Sequence, residues 1–434
     1  MKPYPKYKPT NIDWIGEIPW HWSSRKVAWS FKLIGSGTTP KSDSDLYYEN
    51  GSHNWLLTGD LTDGDIFETS KKITDLALIE TSSLKKYPIN SIVMAMYGAT
   101  IGKLGILKIE TTTNQACCVL ADSPFFDYKF VFYWMLSSRE SIINLSYGGG
   151  QPNINQDIVK GLRLTYPPLL EQQAIVTYLD QKTTLIDELI AKKQRKIKLL
   201  KENRTALINH AVTKGLDPTV KYKDSGIEWI GEIPEHWEIK PLKLLITIND
   251  ETLTEKFDKD IVINYIEISD VNNTEGIKQF SQMFFGEAPS RARRIVRDGD
   301  VIVSTVRTYL KAISRIEKPV QNLIVSTGFA VLRPRTIDSK YLGYFTSSDF
   351  FISKTISNSY GVSYPAINSS EIGNFKSVIP SATEQLQIVD YLDTQTSLID
   401  QNINLELQKI EKLKEYRQSL ISNVVTGKIC VLED

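Results

Sequence analysis

Residues 171–213 read EQQAIVTYLDQKTTLIDELIAKKQRKIKLLKENRTALINHAVT, and residues 384–426 read EQLQIVDYLDTQTSLIDQNINLELQKIEKLKEYRQSLISNVVT. The two stretches are offset by 213 residues and agree at 22 of 43 positions. In the first, apolar residues recur at Leu179, Ile186, Ile190, Ile197, Leu200, Leu207 and Ala211; in the second, at Leu392, Ile399, Ile403, Ile410, Leu413, Leu420 and Val424. Steps of three, four and seven are the signature of a helix that buries one stripe against a partner helix. Each seam also carries two charges, Lys193 and Arg204 in the first, Glu406 and Arg417 in the second. Pro167-Pro168 and Pro380 precede the two blocks and impose an extended entry. Gly215 and Gly427 follow the last seam residues, where helices stop.

Working outward, a second repeat appears. YKPTNIDWIGEIPWHW at 7–22 and YKDSGIEWIGEIPEHW at 222–237 match at 11 of 16 positions. The chain of 434 residues is therefore two similar halves, each ordered as a Trp motif, a long variable block and a long helix. The segments are 1–22, the variable block 23–170, the central helix 171–215, a linker and second Trp motif 216–237, the variable block 238–380, and the C-terminal helix 381–434. The expected fold is α+β: two globular α/β domains separated by two long antiparallel helices forming a coiled-coil spacer, as a pseudo-twofold internal repeat. Such a repeat predicts that the chain termini lie close together.

Composition narrows the function classes. Fifty-one basic and 51 acidic residues cancel, which argues against holding nucleic acid by bulk positive charge. The neutrality is local as well as global in the first variable block, with 14 residues of each sign. Elsewhere it is a cancellation. Residues 182–214 hold nine Lys/Arg against three Asp/Glu, whereas residues 384–428 hold five against seven, so the two helices suit one another electrostatically. No apolar run is long enough to span a membrane, and the N-terminus lacks the apolar stretch of a secretory signal. Cys117, Cys118 and Cys430 form no disulfide framework, and four histidines show no metal-ligand spacing. A cytoplasmic protein is expected.

The twice-occurring IxWIGEIPxHW motif, ending at Trp22 and Trp237, and the EQxxIVxYLD helix, beginning at Glu171 and Glu384, resemble the specificity subunit of type I restriction–modification systems. The resemblance covers nearly the whole chain. It implies that the variable blocks are target-recognition domains, each reading one half of a bipartite, asymmetric site in double-stranded DNA. It further implies that the helices set the spacing between those domains and dock two modification (methyltransferase) subunits, which restriction subunits then join. S-adenosylmethionine, ATP and Mg2+ would be bound by those partners, and no cofactor or metal by this chain. Some 30 helical residues at about 1.5 Å each would span roughly 45 Å, more than one turn of B-DNA at roughly 34–36 Å.

The residues agree with a chain that does no chemistry itself. The sole Pro-Pro, in Tyr166-Pro-Pro-Leu169, lacks the amide and aromatic that hold a flipped base in adenine methyltransferases. Gly98-Ala-Thr-Ile-Gly-Lys103 has three residues between its glycines and Leu104 where a phosphate loop needs Ser or Thr. Gly148-Gly-Gly150 reads as a turn, and Cys117-Cys118 as part of a buried strand. Rival readings are a DNA-binding protein that acts alone and a restriction or methylation enzyme with divergent motifs.

DNA contacts are therefore sought on polar loops held by sheets. In the first block these are Thr38, Thr39 and Lys41; Thr100 and Lys103; and Gln151 and Asn153, with Thr111–Gln115 as a further candidate loop. In the second block eight arginines stand out, with Arg291, Arg293, Arg294 and Arg297 densest, and Arg307, Tyr309 and Lys311 just after a strand at 300–304. Arginine's planar fork suits guanine edges and phosphates; ion pairs on a strand edge are the alternative for 291–297. Trp14, Trp22, Trp229 and Trp237 are expected to pack each domain on the spacer, since near-identical motifs cannot encode two different half-sites. Ile175, Val176, Ile388 and Val389, matched between the helices, are expected to meet the partner subunits.

Overall fold

A computed structural model describes residues 2–146, 152–274 and 276–432. The long repeated blocks are single helices, Leu169–Lys214 and Ala382–Val425. Gly215 and Gly427 end them in the left-handed conformation, at φ of +74° and +77°. Glycine is also needed there for space. A Cβ on Gly427 would lie 2.3 Å from Pro19, and one on Gly215 would lie 3.2 Å from the Trp237 ring.

The chain divides into two compact units, one of residues 1–192 with 408–434 and the other of residues 193–407. The boundary falls inside both helices, so each unit contains one part of each. In the first unit, Leu179 and Ile186 share a core with Leu420, Ile421 and Val424, and the Arg417 guanidinium meets Asp187 at 2.9 Å. In the second, Arg204 meets Asp400 at 3.1 Å, and Lys193 and Lys196 meet Glu406 at 2.7 and 2.9 Å. Contacts on one helix advance as those on the other retreat, so the helices run antiparallel. The apolar stripe expected from the sequence is the stripe that is covered.

Each unit holds one variable block, and the two are built alike despite their different sequences. A Trp-motif hairpin comes first, Tyr7–Pro9 with Glu17–Pro19 and Tyr222–Asp224 with Glu232–Pro234, in the same register. The next strand pairs antiparallel with the last strand before the long helix: Ser23–Lys26 with Arg163–Tyr166, and Glu238–Pro241 with Lys376–Ile379. The ends of each variable block are thereby pinned together. Inside the first block a five-stranded sheet runs Leu33–Gly35, Cys117–Ala121, Ile92–Ala95, Leu104–Leu107, Gly64–Ile66. Inside the second, Ile246–Ile248, Phe329–Pro334, Val301–Ser304 and Ile313–Arg315 follow the order of its first four strands. Cys117 and Cys118 are buried in their strand, and burial pushes both thiols up to about 12.

One repeated side chain ties each block to its helix. Gln172 accepts from the Asp127 N–H at 2.9 Å and donates to the Pro167 carbonyl; Gln385 accepts from the Asp338 N–H at 2.8 Å and donates to the Pro380 carbonyl. Asp127 and Asp338 in turn cap the helices Tyr128–Ser137 and Ser339–Thr346.

Candidate nucleic-acid interface

In the first unit the candidate loops come together at one end of the five-stranded sheet. The Gly37 N–H donates to Thr113 at 2.9 Å, and the Thr39 hydroxyl to Gln115 at 2.7 Å. Gly37 is pressed against the Thr113 carbonyl so closely that a Cβ would overlap it, which explains the glycine. Gln156 reaches Ser36 at 3.2 Å, and Tyr97 bridges Asn153. Residues 35–41, 97–103, 113–115 and 153–156 thus form one surface. Thr38 and Thr100 are half-buried in it; Thr39, Lys41, Lys103 and Asn153 are exposed. Gln151, and the Gly148–Gly150 run expected to form a turn, lie outside the described residues.

The second unit repeats this construction. After the strand Val301–Ser304, the Thr305 N–H donates to the Gly328 carbonyl at 2.8 Å and the Ile367 N–H to the Thr305 carbonyl at 2.9 Å. In the first unit Met96, Ala116 and Ile154 make the same two bonds, each at 2.8 Å. Residues 305–311 therefore occupy the place of 96–102. The Arg307 N–H is held by the Pro365 carbonyl at 2.8 Å, and its guanidinium lies 4.6 Å over the Tyr364 ring. Thr308 and Ser359 share a hydrogen bond of 2.8 Å. Arg307, Tyr309 and Lys311 are exposed, as are Tyr360, Val362 and Tyr364 of the facing loop.

That facing loop was not singled out by sequence reasoning, although a signal existed. Ser359-Tyr-Gly-x-x-x-Pro-x-Ile-Asn368 repeats Ser146-Tyr-Gly-x-x-x-Pro-x-Ile-Asn155 at the same offset of 213 that relates the helices. It is a short island of identity inside blocks that otherwise show little.

The arginines of 291–297 sit elsewhere, on or beside the edge strand Ala292–Ile295 of a second four-stranded sheet. Arg291 pairs with Glu267, and Arg297 with Glu251. Arg294 bonds Thr252, and Arg293 lies 4.7 Å over the Phe285 ring. Arg333 is tied to the buried Asp300 at 2.9 Å, which raises its already high pKa. By contrast, Lys41, Lys103, Arg307 and Lys311 have no acidic partner among the described residues. The cations on the loops are open to a ligand, whereas most of those on the sheet are engaged within the fold.

Trp22 and Trp237 are buried and bond Glu171 and Glu384 of the long helices, whereas Trp14 and Trp229 are 37% and 53% exposed, Trp229 lining one cavity with Asn209 and Thr213 of its helix. One expectation is corrected. Ile175, Val176, Ile388 and Val389 are buried in the cores of their own units, so they hold each helix to its domain rather than facing a partner. Exposed apolar residues that match between the helices are Leu185 and Leu398.

Among the described residues no cluster of His, Cys, Asp or Glu is arranged to hold a metal, and no helix is long and apolar enough to cross a membrane. The model of the type I restriction modification DNA specificity domain matches twice, over residues 22–199 and 234–415. The chain is 22% identical over 429 residues to the type I restriction enzyme MjaVIII specificity subunit of Methanocaldococcus jannaschii, covering 95% of this chain and 94% of that one. A solved structure described as showing complex assembly and conformational transition of the type I R-M system shares the fold at a TM-score of 0.71 and 16% identity, over 95% of this chain and 99% of that one. The HsdS subunit from Thermoanaerobacter tengcongensis does so at 0.54 and 16% identity, over 95% and 98%. With both halves matched by one family model and the fold shared along nearly its full length, the chain belongs to the type I restriction–modification DNA specificity family.

Proposed function

We propose that this chain is the non-catalytic specificity subunit of a cytoplasmic type I complex and that each unit reads one half of a bipartite, asymmetric site in double-stranded DNA through its converging loops. The observation that carries this reading is the pair of matched loop surfaces, one per unit, whose exposed cations have no acidic partner among the described residues. Phosphate contacts would position the duplex, and side chains such as Arg307 would read base edges. Two modification subunits would dock on the long helices, where Leu185 and Leu398 give each a matching apolar contact, and restriction subunits would join that core. S-adenosylmethionine, ATP and Mg2+ would be used by those partners.

The test is methylation mapping in a host carrying the complex, followed by replacement of residues 23–170 with another recognition block. The strand pair that pins the block's two ends should let the replacement fold, and only one half of the methylated site should change. A change in both halves, or in neither, rejects the assignment of one half-site per unit. Within the second unit, Arg307→Ala should cost about 1–3 kcal/mol of binding if the guanidinium reads a base bidentately. It should then relax one position of the other half-site.

A further inference from the structure

The two loop surfaces share a backbone but differ in one respect that bears on how they bind. In the first unit the turn after the strand places Gly98 and Gly102 at φ of +82° and +76°. In the second unit the same turn places Arg307 and Lys311 at φ of +52° and +53°. The left-handed region crowds Cβ against the backbone, so ordinary side chains avoid it, while asparagine and aspartate tolerate it. Among the described residues, the other non-glycine residues found there are Asn50, Asp63, Asn90, Asp122, Asn249, Asn322 and Lys318. Seven of the nine such residues thus lie outside this turn, and six of those seven are Asn or Asp. Two long cations in one five-residue turn are the exception.

Burial does not account for them, since the ring that Arg307 lies over, Tyr364, is itself exposed. Both side chains are exposed, and neither has an acidic partner among the described residues. The bonds that shape the turn are made by the backbone: the Arg307 N–H to Pro365, the Leu310 N–H to Arg307 and the Lys311 N–H to Thr308. A glycine would keep every one of them. The first unit illustrates this for the central bond, since with glycine at 98 the Ile101 N–H donates to the Gly98 carbonyl at 3.1 Å as Leu310 does to Arg307, while its Gly102 and Lys103 N–H groups close the turn on Ala95 and Thr100. A Cβ on Gly98 would meet nothing within 4 Å, so glycine there answers to backbone angle alone. Residues that strain the backbone, contribute no internal ion pair and face solvent have the character of a functional site.

We propose that Arg307 and Lys311 are held in the left-handed conformation, at the expense of fold stability, to form a two-cation clasp on the DNA of the second half-site, with Tyr364 positioning the Arg307 guanidinium. The first unit's turn, with glycines in those two places, offers backbone N–H groups and the neighbouring Thr100 and Lys103 instead. The ligand class is a backbone phosphate or the acceptor edge of guanine, both of which receive hydrogen bonds from cations. This inference rests on the proposal that the paired loops meet DNA.

The experiment compares glycine with alanine at each position in the full chain, purified with its modification subunits. Alanine removes the cation and keeps the backbone strain; glycine removes both. The probe is a duplex carrying the site found by methylation mapping, with a scrambled duplex as control. Arg307→Gly and Lys311→Gly should melt above Arg307→Ala and Lys311→Ala. All four should bind the mapped site about ten-fold or more weakly, within the range of a lost charged contact. A position that holds a phosphate should also lower the slope of log affinity against log salt by about 0.9. Tyr364→Ala should weaken binding in the wild-type background and leave the Arg307→Ala background unchanged. Glycine variants that melt no higher than their alanine partners would overturn the strain, and binding within two-fold of wild type would overturn the clasp. Replacement of residues 238–380 keeps the two proposals separable. If that exchange changes one half-site while the point variants bind normally, only the clasp fails; if the exchange changes nothing, the DNA-reading role of the unit fails with it.

Discussion

Glu171 and Glu384 occupy matching places in the first turns of the long helices, and each gathers the donors of a Trp motif. Glu171 accepts from the Tyr4 hydroxyl at 2.6 Å and the Trp22 indole at 3.0 Å, with the His21 ring at 2.8 Å. Glu384 accepts from the Trp237 indole at 3.2 Å, meets the His236 ring at 2.7 Å, and closes a capping box with Ser381. Burial works against the charged form of Glu384, but the bonds from His236, Ser381 and Trp237 outweigh it and hold the carboxyl at about 2, against its ordinary 4.5. A depressed carboxylate contributes stability that is complete above its unfolded pKa and is lost as pH falls through its folded one. Wild-type stability should therefore fall more steeply between pH 4.5 and 2 than that of Glu384→Gln, which should be the less stable protein at pH 7. Denaturant titrations across that range would measure the difference, and parallel slopes would show that the carboxylate is not held. The repeat announced the importance of these motifs but not their division of labour. Trp14 and Trp22 are equally repeated, and only their opposite exposure separates them.

At the scale of elements, the helix pair carries its own specificity. Asp187 with Arg417 and Arg204 with Asp400 are one pair of positions used twice with the helices exchanged, because 187 and 400, like 204 and 417, are counterparts across the offset of 213. Lys193 and Glu406 are also counterparts, so here a position meets itself, and opposite signs replace what two identical helices would make a like-charge contact. The Glu406 side chain is only 4% exposed, and bonds from Lys193 and Lys196 hold its carboxyl at about 2. A polar residue in an apolar seam commonly selects the partner and register at some cost in stability. Lys193→Glu and Glu406→Lys should each lower the melting temperature, and the double reversal should recover most of the loss. A double reversal no better than the worse single variant would show that the pair does not couple. The seam was legible in the sequence from its period, and the opposite tendencies of the two helices from their net charge. Which charges pair was not, since partners more than 190 residues apart in sequence are matched only by the antiparallel register.

For the whole molecule, the expected proximity of the termini is visible inside the first unit, where the Cys430 N–H donates to the Lys2 carbonyl at 3.0 Å and the Tyr7 hydroxyl to the Gly427 carbonyl at 3.1 Å. In the second unit the corresponding connection is the linker 216–221, most of it exposed. A circular permutant that joins Asp434 to Met1 and opens within 216–221 should therefore fold and melt close to the parent. Failure to fold would mean that the linker does more than connect. The same logic explains why a variable block can diverge so far. Its first and last strands pair with each other, and Gln172 or Gln385 anchors it to the helix, so the interior can change while the attachment stays constant.

The sequence by itself determined the duplication, the two long helices with their stops, the strand-and-loop character of the variable blocks and the family. These depend on local signals: apolar period, proline and glycine placement, and identity at a constant offset. Only the tertiary structure decided that two blocks with little identity share one sheet order and one loop surface, because backbone pairing can be conserved when side chains are not. It also decided which basic residues are available. Arg297 and Arg333 are satisfied by Glu251 and Asp300, 46 and 33 residues away, whereas Arg307 and Lys311, at strained positions, have no such partner among the described residues. Charge is a property of the residue, but freedom to bind is set by what the fold brings beside it.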